Sequence, residues 1–118
     1  MSVPAERIRA RVVTREGSSP ARLLGAIREY AAQETRNPWV IRSRRPFILA
    51  HRSPRAEGVR YAFSRDGTDV ALLIAGAHAR LGLAYAMTML AGTRFAEHVA
   101  SVDVALPASA KRTRRARG

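Results

Sequence analysis

The segment GVRYAFSRDGTDVALLIAG, residues 58–76, constrains the fold of this chain more than any other feature. Two runs with strand composition flank RDGT, a turn sequence typical of β-hairpins. In the first run Tyr61 and Phe63 share one face and Arg60 lies on the other. The second run, residues 70–75, is apolar on both faces, which is typical of a strand at the centre of a sheet. The chain is therefore expected to build around a mostly antiparallel sheet.

The other elements are predicted from the same rules of periodicity. Residues 7–13, RIRARVV, alternate strictly between arginine and apolar side chains, the period of a half-buried strand. Helical spacing predicts an amphipathic helix over about 20–34, beginning at Pro20, and a largely buried helix over 77–91. The run from Trp39 to Leu49 is interpreted as one strand in which Pro46 marks a bulge or an edge position.

A possible last strand over SVDVALP completes the series. The order predicts an α+β fold: a two-layer sandwich, β-α-β-β-β-α(-β), with a mostly antiparallel sheet and helices on one face. Residues 1–107 are expected to form a single domain, and residues 108–118 a basic, flexible C-terminal tail. The absence of cysteine excludes disulfides and thiolate metal sites.

The apolar run from residue 70 to residue 92 is long enough to span a bilayer, but other residues argue against a span. His78 and Arg80 lie near its centre, and Gly76 divides it into a strand and a helix. The N-terminus lacks the apolar core of a secretory signal and carries Glu6. We therefore expect a cytoplasmic protein without a membrane partner.

Positive charge is the strongest functional signal in the sequence. The chain has 21 basic and 9 acidic residues, a net charge of +12, and Lys111 is its only lysine. Residues 36–60 carry seven arginines against one acid, and residues 111–118 carry a further +5. Such an excess favours anionic partners, although it says little about fold.

Strand alternation predicts where this charge is displayed. If helices cover the face that carries Ile8, Ile41 and Tyr61, six arginines emerge together on the opposite face of the sheet. The six are Arg7, Arg9, Arg11, Arg42, Arg44 and Arg60. Arginine suits phosphate because its planar fork donates two parallel hydrogen bonds.

The aromatic side chains are predicted to lie in the core rather than in a binding site. The same alternation places Trp39, Phe47, Tyr61 and Phe63 on the inward face. This placement disfavours base stacking and favours recognition of a nucleic-acid backbone or shape, as in double-stranded or structured RNA. A shift of one residue in the strand register would reverse that conclusion.

Motifs for catalysis are weak. His51, beside Arg52, is the weak candidate for a general acid or base, and His78 and His98 are weaker still. No two histidines have metal-ligand spacing, and the GxGxxG and GKS/GKT phosphate-loop motifs are absent, so neither a metal nor a cofactor is expected. The chain is predicted to be non-catalytic.

Three functions remain open on these grounds. The leading hypothesis is a non-catalytic nucleic-acid-binding protein that prefers RNA to DNA. The alternatives are a protein-interaction module, such as a phage-type inhibitor or an assembly subunit docking on an acidic or nucleoprotein partner, and a small basic ribonuclease that uses His51. A homodimer is compatible with each. The candidate nucleic-acid-binding residues are Arg7, Arg9, Arg11, Arg42, Arg44, Arg45, Arg52, Arg55, Arg60, Lys111, Arg112, Arg114, Arg115 and Arg117.

Overall fold

The computed structural model describes residues 4–33 and 37–105, which form one antiparallel sheet and two helices. Within this part of the chain the strand order is β2-β3-β4-β5-β1-β6. The elements are β1 Glu6–Thr14, α1 Pro20–Ala32, β2 Trp39–Arg44, β3 Phe47–His51, β4 Arg60–Asp66, β5 Asp69–Gly76, α2 Ala79–Leu90 and β6 Val99–Ala105, with short 3₁₀ turns at Pro54–Ala56 and Thr93–Phe95.

The predicted α+β class is confirmed, with one correction to the order of strands. The run from residue 39 to residue 49 forms two strands rather than one, joined by a turn at Arg45 and Pro46 whose peptide bond is cis. Pro46 ends a strand here because it cannot donate a backbone hydrogen bond to a sheet ladder. The order is therefore β-α-β-β-β-β-α-β.

Both helices cover the same face of the sheet. Helix α1 begins as expected, with Pro20 in its first turn and the Ser19 Oγ accepting a hydrogen bond from the Arg22 backbone N–H at 3.1 Å. It packs on β2, β4 and β5, while α2 packs on β1 and β5. Gly82 and Ala86 on the buried side of α2 allow its backbone to approach the sheet closely. The opposite side of the sheet, called the open face below, is covered by no described element.

The core follows the predicted alternation. In β1 the buried side chains are Ile8, Ala10 and Val12, and they face the helices. The aromatic side chains predicted to be internal are buried: the exposed fractions are 3% for Trp39, 0% for Tyr61, and 3% each for Phe47 and Phe63. None of these rings is available to stack on a base.

A bulge in β2 changes which residues reach the open face. Ile41 lies opposite Leu49 and Ser43 lies opposite Ile48, so Arg42 is the extra residue between two paired positions. The next pair joins Arg44 to Phe47. Because directly opposed residues share a face, Arg44 lies on the helix side of the sheet with Phe47. The prediction that Arg44 belongs to the open face is wrong, and Ser43 takes that place.

Neither helix described by the structure has the length and apolar character needed to cross a membrane.

Candidate nucleic-acid interface

A column of three arginines runs along the open face of β1. Arg7, Arg9 and Arg11 are all exposed and occupy alternate positions of one extended strand. Successive members are separated by about 6.8 Å of strand rise. The strict alternation of RIRARVV thus produces a straight row of guanidinium groups, as the sequence predicted.

A fourth arginine belongs to the same surface. Ala75 of β5 lies opposite both Arg7 on β1 and Arg60 on β4, which places the two arginines in one cross-strand row. Two strand spacings separate their backbones, roughly 10 Å. The Arg60 Nη1 donates a hydrogen bond to the Val59 carbonyl oxygen at 3.2 Å, which holds the side chain near the sheet.

Carboxylates gather at the other end of this surface, beside Arg11. The Arg11 Nη2 donates to Asp66 Oδ2 at 3.2 Å, and Asp103 lies opposite Arg11 on β6. Among the described residues, Arg7 and Arg9 form no ion pair or side-chain hydrogen bond. The charge of Arg11 is therefore compensated within the protein, whereas the charges of Arg7 and Arg9 are not.

Between the arginines the open face is apolar. Strands β2, β3, β4 and β5 contribute small and aliphatic side chains that are half-buried or buried by their neighbours, and we call this set the aliphatic floor. Its members are Val40, Ile48, Ala50, Ala62, Ala71, Leu73 and Ala75. Part of this floor forms a shallow depression of about 680 Å³ bordered by Arg9, Arg11, Pro46 and Asp103. The apolar residues on both faces of residues 70–75 predicted the central position of β5 in the sheet, but not that one of these faces is uncovered.

A second basic cluster lies at the end of the β2–β3 hairpin. Arg42, Arg44 and Arg45 are exposed there. The guanidinium of Arg28, from α1, lies 4.8 Å from the centroid of the Phe47 ring, the residue opposite Arg44. Arg28 was not predicted as a site residue. The helical spacing of α1 places it beside Ile27, at the border of the apolar face of the helix.

Two of the remaining predicted site residues lie in the segment that follows β3, and the others lie outside the residues that the structure describes. The Arg52 Nε donates to the Asn37 carbonyl oxygen at 3.0 Å, a contact that ties a loop to the start of β2. Arg55 is exposed in the 3₁₀ turn. The tail residues lie outside the described residues: Lys111, Arg112, Arg114, Arg115 and Arg117.

His51 occupies an aromatic cluster on the helix side of the sheet. Its ring stacks on Tyr85, with centroids 4.2 Å apart and planes 6° apart, and meets the edge of Trp39 at 4.8 Å. The Ser53 backbone N–H donates to its Nδ1 at 3.1 Å. Burial lowers the pKa of His51 from its ordinary value of 6.5. A neutral ring whose free nitrogen is already used as an acceptor is poorly placed to act as a general base.

The other two histidines have local structural surroundings. The His98 Nδ1 lies 2.7 Å from the Ser18 Oγ, and its Nε2 lies 3.7 Å from a carboxylate oxygen of Glu97. His78 precedes α2, is exposed, and makes no side-chain cap to that helix.

Comparisons with protein-family models, curated protein sequences and solved structures find no match for this chain. The function must be inferred from its own residues.

Proposed function

We propose that the chain is a non-catalytic nucleic-acid-binding protein that contacts phosphates, preferably those of RNA, through Arg7, Arg9 and Arg60 on the open face. One observation carries the proposal: Arg7 and Arg9 are exposed without an ion pair among the described residues, while the nearby carboxylates collect around Arg11. The basic C-terminal tail supplies further phosphate contacts in this proposal, and the protein acts in the cytoplasm.

The spacing of the arginines supports a polyanion as the ligand. Alternate residues of a strand, about 6.8 Å apart, present charges at an interval similar to that of successive phosphates along an extended nucleic-acid strand. Each guanidinium is able to donate two hydrogen bonds to one phosphate. The described residues contain 15 arginines and 8 carboxylates, a net charge of +7, so the folded part of the chain attracts anions without help from the tail.

The composition of the open face favours backbone recognition over base reading. Its floor is aliphatic, and the aromatic rings of the sheet are buried, so the face offers no stacking platform. A broad sheet face fits the wide, shallow minor groove of an RNA helix better than the B-DNA major groove, which is read by an inserted helix or two-stranded ribbon. Binding should therefore be insensitive to sequence.

The aliphatic floor favours a second candidate, interaction with a protein. Leu73, Ile48 and Val40 lie on a face that no described element covers. A partner with apolar and acidic side chains, or a second copy of the chain, would bury this floor and neutralise the arginines around it. Such a complex would survive removal of nucleic acid.

The proposal is tested by titrating the full-length chain against fluorescently labelled single-stranded and duplex forms of RNA and DNA at low salt. We expect saturable binding to all four and a higher affinity for RNA. Failure to bind any of them would refute the proposal. A stable complex, or a dimer that persists after nuclease treatment and does not bind RNA, would support the second candidate instead.

A further inference from the structure

A second surface, distinct from the open face, is a groove on the helix side of the sheet. It lies between the end of α2, the 3₁₀ turn Thr93–Phe95 and the start of β2, and has a volume of about 580 Å³. Small-molecule sites commonly have volumes of about 300–1,000 Å³ and aromatic walls. Five rings line this groove: Tyr30, Trp39, His51, Tyr85 and Phe95. We call it the aromatic groove.

The rings hold one another in place. Trp39 meets His51 edge-on at 4.8 Å and Tyr61 edge-on at 4.7 Å. Tyr30 and Phe95 form another edge-to-face pair at 5.7 Å. Interlocked pairs of this kind fix ring orientation beyond what simple burial of area provides. The walls of the groove are therefore formed before any ligand arrives.

One polar group on the wall is a hydrogen-bond donor. Because the Ser53 backbone N–H donates to the His51 Nδ1 at 3.1 Å, the proton of the neutral ring resides on Nε2. That Nε2–H has no acceptor among the described residues. The Tyr85 hydroxyl is occupied differently, lying 3.1 Å from the Ser53 Oγ. The wall thus presents one uncommitted neutral donor beside stacked rings.

A positively charged side chain, that of Arg94, lies at the edge of the same groove. The guanidinium of Arg94 lies 4.7 Å from the centroid of the Tyr30 ring, a cation–π contact that orients it. Arg94 is exposed, and in the described part of the chain it makes no ion pair or side-chain hydrogen bond. Its donors remain free for an anionic group on a ligand.

We propose that the aromatic groove binds a small aromatic carboxylate. The ligand ring packs against the half-buried rings of Tyr30 and Tyr85. Its carboxylate receives hydrogen bonds from Arg94, and the His51 Nε2–H donates to an acceptor on the ligand. Ring burial supplies most of the affinity, and Arg94 supplies selectivity for the anion. This site goes beyond the proposed nucleic-acid binding and does not depend on it.

Trp39 provides a direct probe because it is the only tryptophan and lines the groove. Its fluorescence is followed while the full-length chain is titrated with phenylacetate and with the neutral analogue phenylacetamide. We expect saturable changes with both, and about tenfold tighter binding of phenylacetate. Arg94→Gln should abolish that preference. Arg22→Gln, a charge-matched change at an exposed residue of α1 outside the groove, should preserve it.

Two results would overturn the proposal. One is the absence of any saturable change with either compound at millimolar concentration. The other is a preference for phenylacetate that Arg94→Gln does not reduce. Because the preference is a ratio measured within each variant, a partial loss of folded protein does not obscure it, and circular dichroism verifies that both variants are folded.

Discussion

A Cβ atom at Gly82 would lie 2.8 Å from the hydroxyl oxygen of Tyr61 and 2.8 Å from Cγ1 of Val59. The α2 backbone therefore packs directly on the hydroxyl group of a fully buried tyrosine of β4. This contact joins the helix to the strand that also carries Arg60 on its other face. The position of α2 on the sheet depends on the small size of residue 82.

We expect Gly82→Ala to lower the free energy of unfolding by about 1–3 kcal/mol, because the added methyl group overpacks a tight contact. Gly25→Ala is the matched control. Gly25 is exposed in α1 and a Cβ there meets nothing within 4 Å, so alanine should stabilise the helix by about 0.5–1 kcal/mol. Urea unfolding of the two variants measures both effects. Equal stabilities would show that α2 does not pack as described.

Removal of the Tyr61 hydroxyl should not destabilise the protein. The Oη atom is buried and has no hydrogen-bond partner among the described residues, and burial, with a smaller effect of Tyr85, raises the pKa of Tyr61. We expect Tyr61→Phe to raise the free energy of unfolding by about 1 kcal/mol, because an unsatisfied buried hydroxyl is removed. In contrast, Tyr85→Phe loses the contact with Ser53 and should cost about 1 kcal/mol. A larger loss for Tyr61→Phe than for Tyr85→Phe would contradict this assignment.

His51 should make stability depend on pH in the mildly acidic range. Because burial lowers its pKa below 6.5 in the folded state, the unfolded chain binds the proton first as the pH falls. Stability from this residue is therefore complete above pH 6.5 and declines below it, until the folded-state pKa is passed. His51→Phe keeps a ring against Tyr85 and removes the titration. The fall in melting temperature between neutral and acidic pH should be smaller in this variant than in the parent; equal falls would rule out His51 as the source.

Much of the fold could be predicted because burial imposes a period on the sequence. The alternation in RIRARVV and in residues 58–76 follows from strands with one face against the helices, and Pro20 signals the start of α1. The burial of Trp39 and Tyr61 followed from the same reasoning. These features depend on the local sequence and on the burial of one face of the sheet by the two helices.

Other features depend on tertiary structure and left no local signal. The extra residue in β2, Arg42, shifts every later residue to the opposite face, and the turn at Arg45 and Pro46 lacks the glycine or asparagine of a common hairpin turn. For this reason the predicted six-arginine face became a smaller surface without Arg44. The pairing of Arg11 with Asp66 joins residues 55 positions apart, which no periodicity reveals.

Position, as well as charge, should determine how strongly each arginine of β1 affects RNA binding. Arg9→Gln and Arg11→Gln both remove one positive charge, but only Arg11 is paired with a carboxylate. We expect Arg9→Gln to weaken binding of duplex RNA about three- to tenfold at low salt, and Arg11→Gln to have a smaller effect. Fluorescence anisotropy titrations measure both affinities. Equal losses would indicate that RNA responds only to net charge.

The most direct test of the central claim is the salt dependence of RNA binding in two charge-matched double variants. Arg7→Gln/Arg9→Gln alters the open face, while Arg22→Gln/Arg65→Gln removes two exposed arginines elsewhere. The C-terminal tail has the same sequence in both variants and therefore contributes equally to their salt dependence. If Arg7 and Arg9 contact phosphates, the slope of log Kobs against log salt, measured between about 50 and 200 mM salt, should decrease in magnitude by about 1.5–2 in the first variant. It should stay close to the parent value in the second. Identical slopes in the two variants, or RNA binding that does not weaken with salt, would contradict the proposed interface.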